Sequence, residues 1–237
     1  MIVKPIKTEV FQECENLFSF IVKHIKSIPE KSILVITSKV VALSEGRTVV
    51  AKDERAKEKI IRKESDFAVP TKFVWLTLKD GMLMASAGID ESNANGKLIL
   101  LPRDSYKTAD EIRKKLKKYF GVKKIGIIIT DSRTAPLRAG VTAVALGYAG
   151  FSGIKDYRGK PDIFGRRFHF SRVNVADSLA TSAVFVMGEG NEQYPLAIIE
   201  DIEEASVKFR EKVSRKEVII GIEDDMYKPF FTQWRKS

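Results

Sequence analysis

The sequence predicts a mixed α/β chain, closer to an α+β arrangement than to a doubly wound parallel sheet. Three observations carry that expectation. Short β-branched runs alternate with segments of helical periodicity, but without the regular strand–helix–strand rhythm of a parallel sheet. The 237 residues contain no internal repeat and no low-complexity linker, so one large domain or two intertwined lobes is expected. Hydrophobic residues make up 44% and charged residues 30%, which leaves enough apolar material for a sizeable core under a solvated surface.

The elements follow in order. After an N-terminal strand, "FQECENLFSFIVKHIKSI" (11–28) places Phe11, Leu17, Phe18, Ile21, Val22 and Ile25 at helical spacing, and Pro29 ends it. "SILVITSKVVALSEG" (32–46) reads as one β-branched strand closed by Gly46. A basic helix covers 53–64, and 72–89 reads as two strands around the turn "KDG". "KLILLP" (97–102) is a further short strand. "TADEIRKKLKKYFG" (108–121) has Thr108 as its expected cap, acids in the first turn and Gly121 just past the end. "KIGIIITDS" (124–132) is a strand, and 139–190 turns rich in Gly and Ala. There 167–177 reads as a strand and 177–188 as a helix packed through small residues; "LAIIED" is a strand and "EEASVKFREKV" (203–213) a helix.

Composition narrows the function. No apolar run reaches the roughly 18–20 residues that span a bilayer. The opening "MIVKPIKTEVFQEC" lacks the apolar stretch of a secretory signal, so the cytoplasm is the expected compartment. One cysteine, Cys14, fits a reducing setting and an ordinary structural thiol. With two histidines, His24 and His169, a metal site would be built from oxygen, which favours Mg2+ or Mn2+ over zinc. The net charge of +10 resides largely in 52–64 and 113–124, which read as helices with a solvated charged face. Aromatic residues are not interleaved with those cations, so nucleic acid is not the expected partner. Neither a P-loop nor a dinucleotide fingerprint is present, and neither histidine sits in a hydrolase motif.

Four stretches could carry chemistry. In "ASAGIDESNANG" (85–96) small residues run up to Asp90, with Asn93 three positions on; this is either a capped loop or a carboxylate presented at a strand end. "IGIIITDS" delivers Asp131 and Ser132 from a buried strand, an arrangement suited to phosphate-bound magnesium, and Arg133 and Arg138 can fork onto phosphate or carboxylate. An Asx turn with surface arginines is the plainer alternative. "IKDYRGKPDIFGRR" (154–167) alternates charge around two glycines, as a lid over a polyanion or as a salt-bridged loop at a subunit interface. "MGEG" closes a small-residue helix where Glu189 and the glycines could meet a nucleotide or a second cation.

Taken in order, "ITSKVVALSEGR", "AGIDESN", "LLPRD", "IITDS", "DYRGKPDIFGR", "VADSLATSA" and "VMGEGNEQYPLAII" resemble the gamma-glutamyl ligase family of deazaflavin coenzyme F420 biosynthesis. The resemblance spans roughly 30–200 and rests on the ordered set rather than on any one motif. It implies a single ligase-like domain over 1–237, a two-lobed α+β fold and an intertwined homodimer. It also implies addition of L-glutamate to a carboxylate with GTP and a divalent metal. By that resemblance Asp90 and Asp131 are metal ligands with Ser132 on a second metal, while Ser38, Lys39, Asn93, Met187, Gly188 and Glu189 contact the nucleotide. Asp131 and Arg138 are the expected catalytic pair, the arginine holding an anionic substrate.

Two departures bear on the acceptor. Leu43 and Ser44 stand where the family often carries a lysine before "EGR", and "RTAPLR" (133–138) replaces its glycine–arginine and aromatic–arginine pairs. The "DSRTAPLRAG" form resembles the subgroup described as folate-metabolism gamma-glutamate ligases. The acceptor is therefore open between an F420 precursor and a folate-like pteridine. A nucleotide-binding regulatory homologue without ligase chemistry is the second reading, and binding to RNA or DNA, suggested only by charge, the third.

Overall fold

A computed structural model describes residues 1–234. In chain order the elements are β1 (Ile2–Ile6), α1 (Leu17–His24), β2 (Ser32–Thr37), α2 (Ser38–Ser44), β3 (Thr48–Val49), α3 (Glu54–Glu64), β4 (Phe67–Pro70), β5 (Trp75–Lys79) and β6 (Met82–Ala85). Then come β7 (Leu98–Ile99), α4 (Ser105–Phe120), β8 (Ile125–Arg133), β9 (Thr142–Ala149), β10 (Ile154–Asp156), β11 (Arg172–Asn174), α5 (Val175–Met187), β12 (Leu196–Glu200) and α6 (Lys228–Trp234). The expected mixed α/β class is present, with several sheets and helices.

The central sheet runs β1-β12-β2-β8-β9. Only β2 and β8 are parallel; every other neighbouring pair is antiparallel. Strand alternation sorts the core into two layers. Leu34, Ile36, Ile127 and Ile129 face Phe20, Ile21, Ile112 and Leu116 of α1 and α4. Ile33, Val35 and Ile128 face Ala176, Leu179, Ala180 and Ala183 of α5. Burying each such aliphatic chain contributes roughly 1.5–3 kcal/mol. Small residues let α5 lie close, as expected for that segment. A separate three-stranded sheet, β4-β5-β6, joins the main body through Met84 and Leu101, which pack on Val144 and Leu146 of β9.

Several sequence expectations need correction. The run 32–46 is not one strand: the chain leaves β2 at Thr37 and turns at once into α2, which buries Val40, Val41 and Ala42. Packing rather than β-propensity decides that segment. The first helix is confined to Leu17–His24, with Asn16 accepting from the Ser19 N–H. The cap of α4 is Asp104, whose side chain accepts from the Lys107 N–H, so the helix begins earlier than Thr108. Its last turn ends at Gly121 in the left-handed region, φ 71°, as expected. Residues 203–213 are not helical; Val207, Phe209 and Val213 cover the α5 side of the core in an irregular strap. The strap is fixed by Glu217, which accepts from Tyr148 Oη (2.7 Å), Gly153 N (3.0 Å) and Arg210 Nη2 (2.6 Å). Of 167–177 only Arg172–Asn174 is strand, and β9, long and buried, had been passed over inside the Gly/Ala-rich region.

The basic face of α4 is not wholly solvated. Arg113 is buried, donates to the Ile125 carbonyl (3.0 Å) and pairs with Glu211 (2.8 Å). The segment 154–167 continues the β10–β11 hairpin as an irregular arm. Its hydrogen bonds run within itself, including Gly159 N to Phe168 O and Asp162 N to Arg166 O. Among the described residues it makes no hydrogen bond to Asp90, Asp131 or Glu189. Among the described residues no helix is long and apolar enough to cross a membrane.

Candidate active site

The parallel pairing of β2 with β8 sets Thr37, the last residue of β2, opposite Thr130, where β8 runs on three residues past its partner. The next residue on each chain is a site candidate. Ser38, opening α2, donates its hydroxyl to Asp131 Oδ1 at 2.9 Å. One position further, Ser132 donates to Glu189 Oε1 at 2.6 Å, just beyond the end of α5. Gly188, φ 79°, ends that helix, and an added Cβ there would lie 2.5 Å from the Glu192 carboxyl, so the turn that presents Glu189 requires glycine.

The second wall comes from the loop after β6. Asp90 is held by reciprocal backbone hydrogen bonds with Ile99 (2.9 and 2.8 Å). Its carboxylate accepts from the Ser92 N–H (2.7 Å) and pairs with Lys39 Nζ (2.7 Å). Lys39 also donates to the Ser92 carbonyl (2.9 Å) and Ser92 Oγ (3.1 Å). Asn93 donates to the Gly190 carbonyl at 3.2 Å and closes the ring between the two walls.

The charges in this ring influence one another. Burial pushes the Asp131 carboxyl up to about 7; the Ser38 hydroxyl and the Ser132 N–H oppose this, while the negative charges of Asp90 and Glu189 add to it. Asp90 goes the other way. Burial works against its charged form, but the Lys39 ammonium and the Ser92 donors outweigh burial and hold it below the usual carboxylate value. Among the described residues no three His, Cys, Asp or Glu side chains form a ready metal cluster. The oxygen donors nearby are the carboxylates of Asp131 and Glu189, each bonded to a serine hydroxyl, and that of Asp90, whose charge acts on Asp131; all are hard oxygens. Donor chemistry of that kind is compatible with Mg2+ or Mn2+.

Eight of the ten expected residues lie together: Ser38, Lys39, Asp90, Asn93, Asp131, Ser132, Gly188 and Glu189. Two do not. Met187, the last residue of α5, has its side chain buried in the core. Arg138 stands on the exposed hairpin between β8 and β9, where among the described residues only its backbone N–H is engaged, with the Ala135 carbonyl. The sequence reading missed Ser92, which binds both Asp90 and Lys39. Its signal was available in the Asp-x-Ser spacing of "DES", the span of an Asx turn.

Comparison with known proteins places the chain in a family. The profile of the F420-0:Gamma-glutamyl ligase family matches residues 5–201. A coenzyme F420:L-glutamate ligase of Methanococcus maripaludis (strain C6) is 36% identical over 220 residues, covering 85% of this chain and 86% of its own. The protein of the same description from Methanopyrus kandleri is 32% identical, covering 85% and 87%. That from Archaeoglobus fulgidus is 28% identical, covering 88% and 90%. A match spanning both walls of the site and most of the chain shows that this protein belongs to the F420-0:gamma-glutamyl ligase family.

Proposed function

We propose that the chain is a GTP- and divalent-metal-dependent ligase that joins L-glutamate to the carboxylate of an anionic acceptor, forming an amide. The acceptor is a deazaflavin F420 precursor or a folate-like acid. The observation that carries this reading is the meeting of Asp131, Ser38, Ser132 and Glu189 with the Lys39–Asp90 pair at the carboxyl ends of two parallel strands.

The reaction needs an activated acyl group. An acceptor carboxylate oxygen attacks the γ-phosphorus of GTP, and GDP leaves with the bridging oxygen. The neutral α-amine of L-glutamate attacks the acyl carbon of the resulting acyl phosphate, inorganic phosphate departs, and the amine loses its proton. Asp131, Ser132, Glu189 and Asp90 would hold one or two divalent cations, which when bound neutralise the transferring phosphoryl group. Lys39 balances the charge of Asp90, and Asn93 with the glycine turn at 188–190 borders the space for nucleotide. Arg138, whose side chain has no partner among the described residues, is available to an anionic acceptor.

The homodimer and the two-lobed arrangement are part of the same proposal. The β10–β11 arm exposes Ile163, Phe164 and Phe170, about nine-tenths accessible each, an apolar surface that suits burial against a second copy. The expected cytoplasmic setting also belongs here, as the compartment that supplies GTP.

The experiment is GDP release with L-glutamate, Mg2+ or Mn2+, and each acceptor in turn. Acceptor-dependent turnover, lost in Asp131→Ala, is expected. Tight GTP binding by calorimetry with no turnover for any acceptor would favour the regulatory homologue instead.

A further inference from the structure

The loop that delivers Asp90 has an unusual backbone. Ser86, Ala87 and Gly88 all lie in the left-handed region, at φ 47°, 57° and 69°. Residues with a Cβ avoid that region, and a run of them persists only where the surroundings leave no alternative. Two devices enforce it here. An added Cβ on Gly88 would lie 2.7 Å from the Leu101 side chain, so the turn is pressed against the packing that joins the small sheet to β9. The second device is Thr77, on the central strand β5 of the small sheet and fully buried.

The Thr77 hydroxyl accepts from the Ala87 N–H at 2.8 Å and donates to the Met84 carbonyl at 2.8 Å. Met84 is its cross-strand partner, so one hydroxyl ties the strand pair to the turn. Without it the buried Ala87 N–H has no partner where the backbone is least favourable. Only Ile89 separates Gly88 from Asp90, and its N–H is spent on the Ser86 carbonyl (3.0 Å). A change in the turn is therefore passed to the Asp90 backbone with little slack.

We propose that Thr77 is a positioning residue for the active site: its hydroxyl locks the left-handed turn that aims Asp90 at Lys39 and Asp131. The proposal rests on Asp90 belonging to the site, and its test separates the two. Thr77→Val keeps the shape and removes the hydroxyl; Thr77→Ser keeps the hydroxyl. Thr71→Val, which removes a hydroxyl closing the turn before β5, reports any general loss of sheet stability.

The readouts, all on the full chain, are Mn2+ affinity and hydrogen exchange of the Ser92 amide, which donates to Asp90. Thr77→Val is expected to weaken Mn2+ binding by about tenfold or more and to expose the Ser92 amide to exchange. Thr77→Ser and Thr71→Val should stay near wild type. If Thr77→Val alone does not fold, adding Ala87→Gly relieves the left-handed strain, and Ser92 should remain unprotected in the folded double variant. Ser92 protection unchanged in Thr77→Val, or lost equally in Thr77→Ser, overturns the proposal. Unchanged Mn2+ affinity in Asp90→Asn overturns the metal assignment instead, and Ser92 exchange then decides the role of Thr77 by itself.

Discussion

Asp131 is the residue on which charge, burial and chemistry meet. Its carboxyl sits near 7 in the folded chain against 3.8 for an ordinary aspartate, burial first and the neighbouring carboxylates after it. The folded state therefore binds the proton more tightly than the unfolded chain does. Its relative stabilisation is complete below about pH 4 and is lost as pH rises to 7. In chelator, Asp131→Asn should thus be more stable than wild type at pH 8, by on the order of a few kcal/mol, and the gap should close as pH falls toward 4. Denaturant melts at the two pH values check this, and an equal gap at both would contradict it. The same variant should lose roughly a hundredfold or more in ligation rate. At this scale the sequence was informative where a residue's role is set by its own strand end or turn, as for Asp131, Ser132 and Asp90. It was silent where the partner arrives from afar: Glu189 reaches Ser132 across 57 positions, and no local spacing records that. The burial of Met187 was not legible either, because a helix's last turn can lie against the core while the residues after it do not.

At the scale of elements, close approach governs the fold as much as hydrophobic pattern does. Gly147 of β9 lies under the first turn of α4, where an added Cβ would come within 2.4 Å of the Ser105 backbone. Backbone on both sides cannot rotate away as a side chain can, so Gly147→Ala should cost about 3 kcal/mol, at the upper end of overpacking effects. A fall in urea midpoint with unchanged slope would show it. The contact also explains why β9 was hard to read. Its glycine and alanines serve helix packing and carry little β-propensity, so a fully buried strand looks like a loop-rich region. The opposite error occurred at 38–44, where β-branched Val40 and Val41 belong to a helix because both are buried against the sheet. Helices with strong amphipathic patterns and clear ends, α3 and the carboxyl end of α4, were legible without tertiary information.

For the whole molecule, the β10–β11 arm gathers three large apolar side chains that a single chain leaves exposed. With Phe164 and Phe170 about 90% exposed, the protein should run in solution at twice its 26.7 kDa chain mass by light scattering. Replacing both phenylalanines by aspartate should give a monomer, whereas a monomeric wild type would leave the arm to another partner. The sequence offered 154–167 as a possible subunit contact through its alternating charges, but the exposure of Phe164 and Phe170 belongs to the assembled fold rather than to any motif. The parallel β2–β8 pair has a different consequence. Ser38 and Asp131 lie 93 positions apart and become neighbours only when the middle of the central sheet has zipped in register. A half-folded chain, whatever helices it has formed, carries no working centre. During refolding, catalytic competence should return with the slowest global phase and never ahead of it, which makes activity a direct clock for completion of the core.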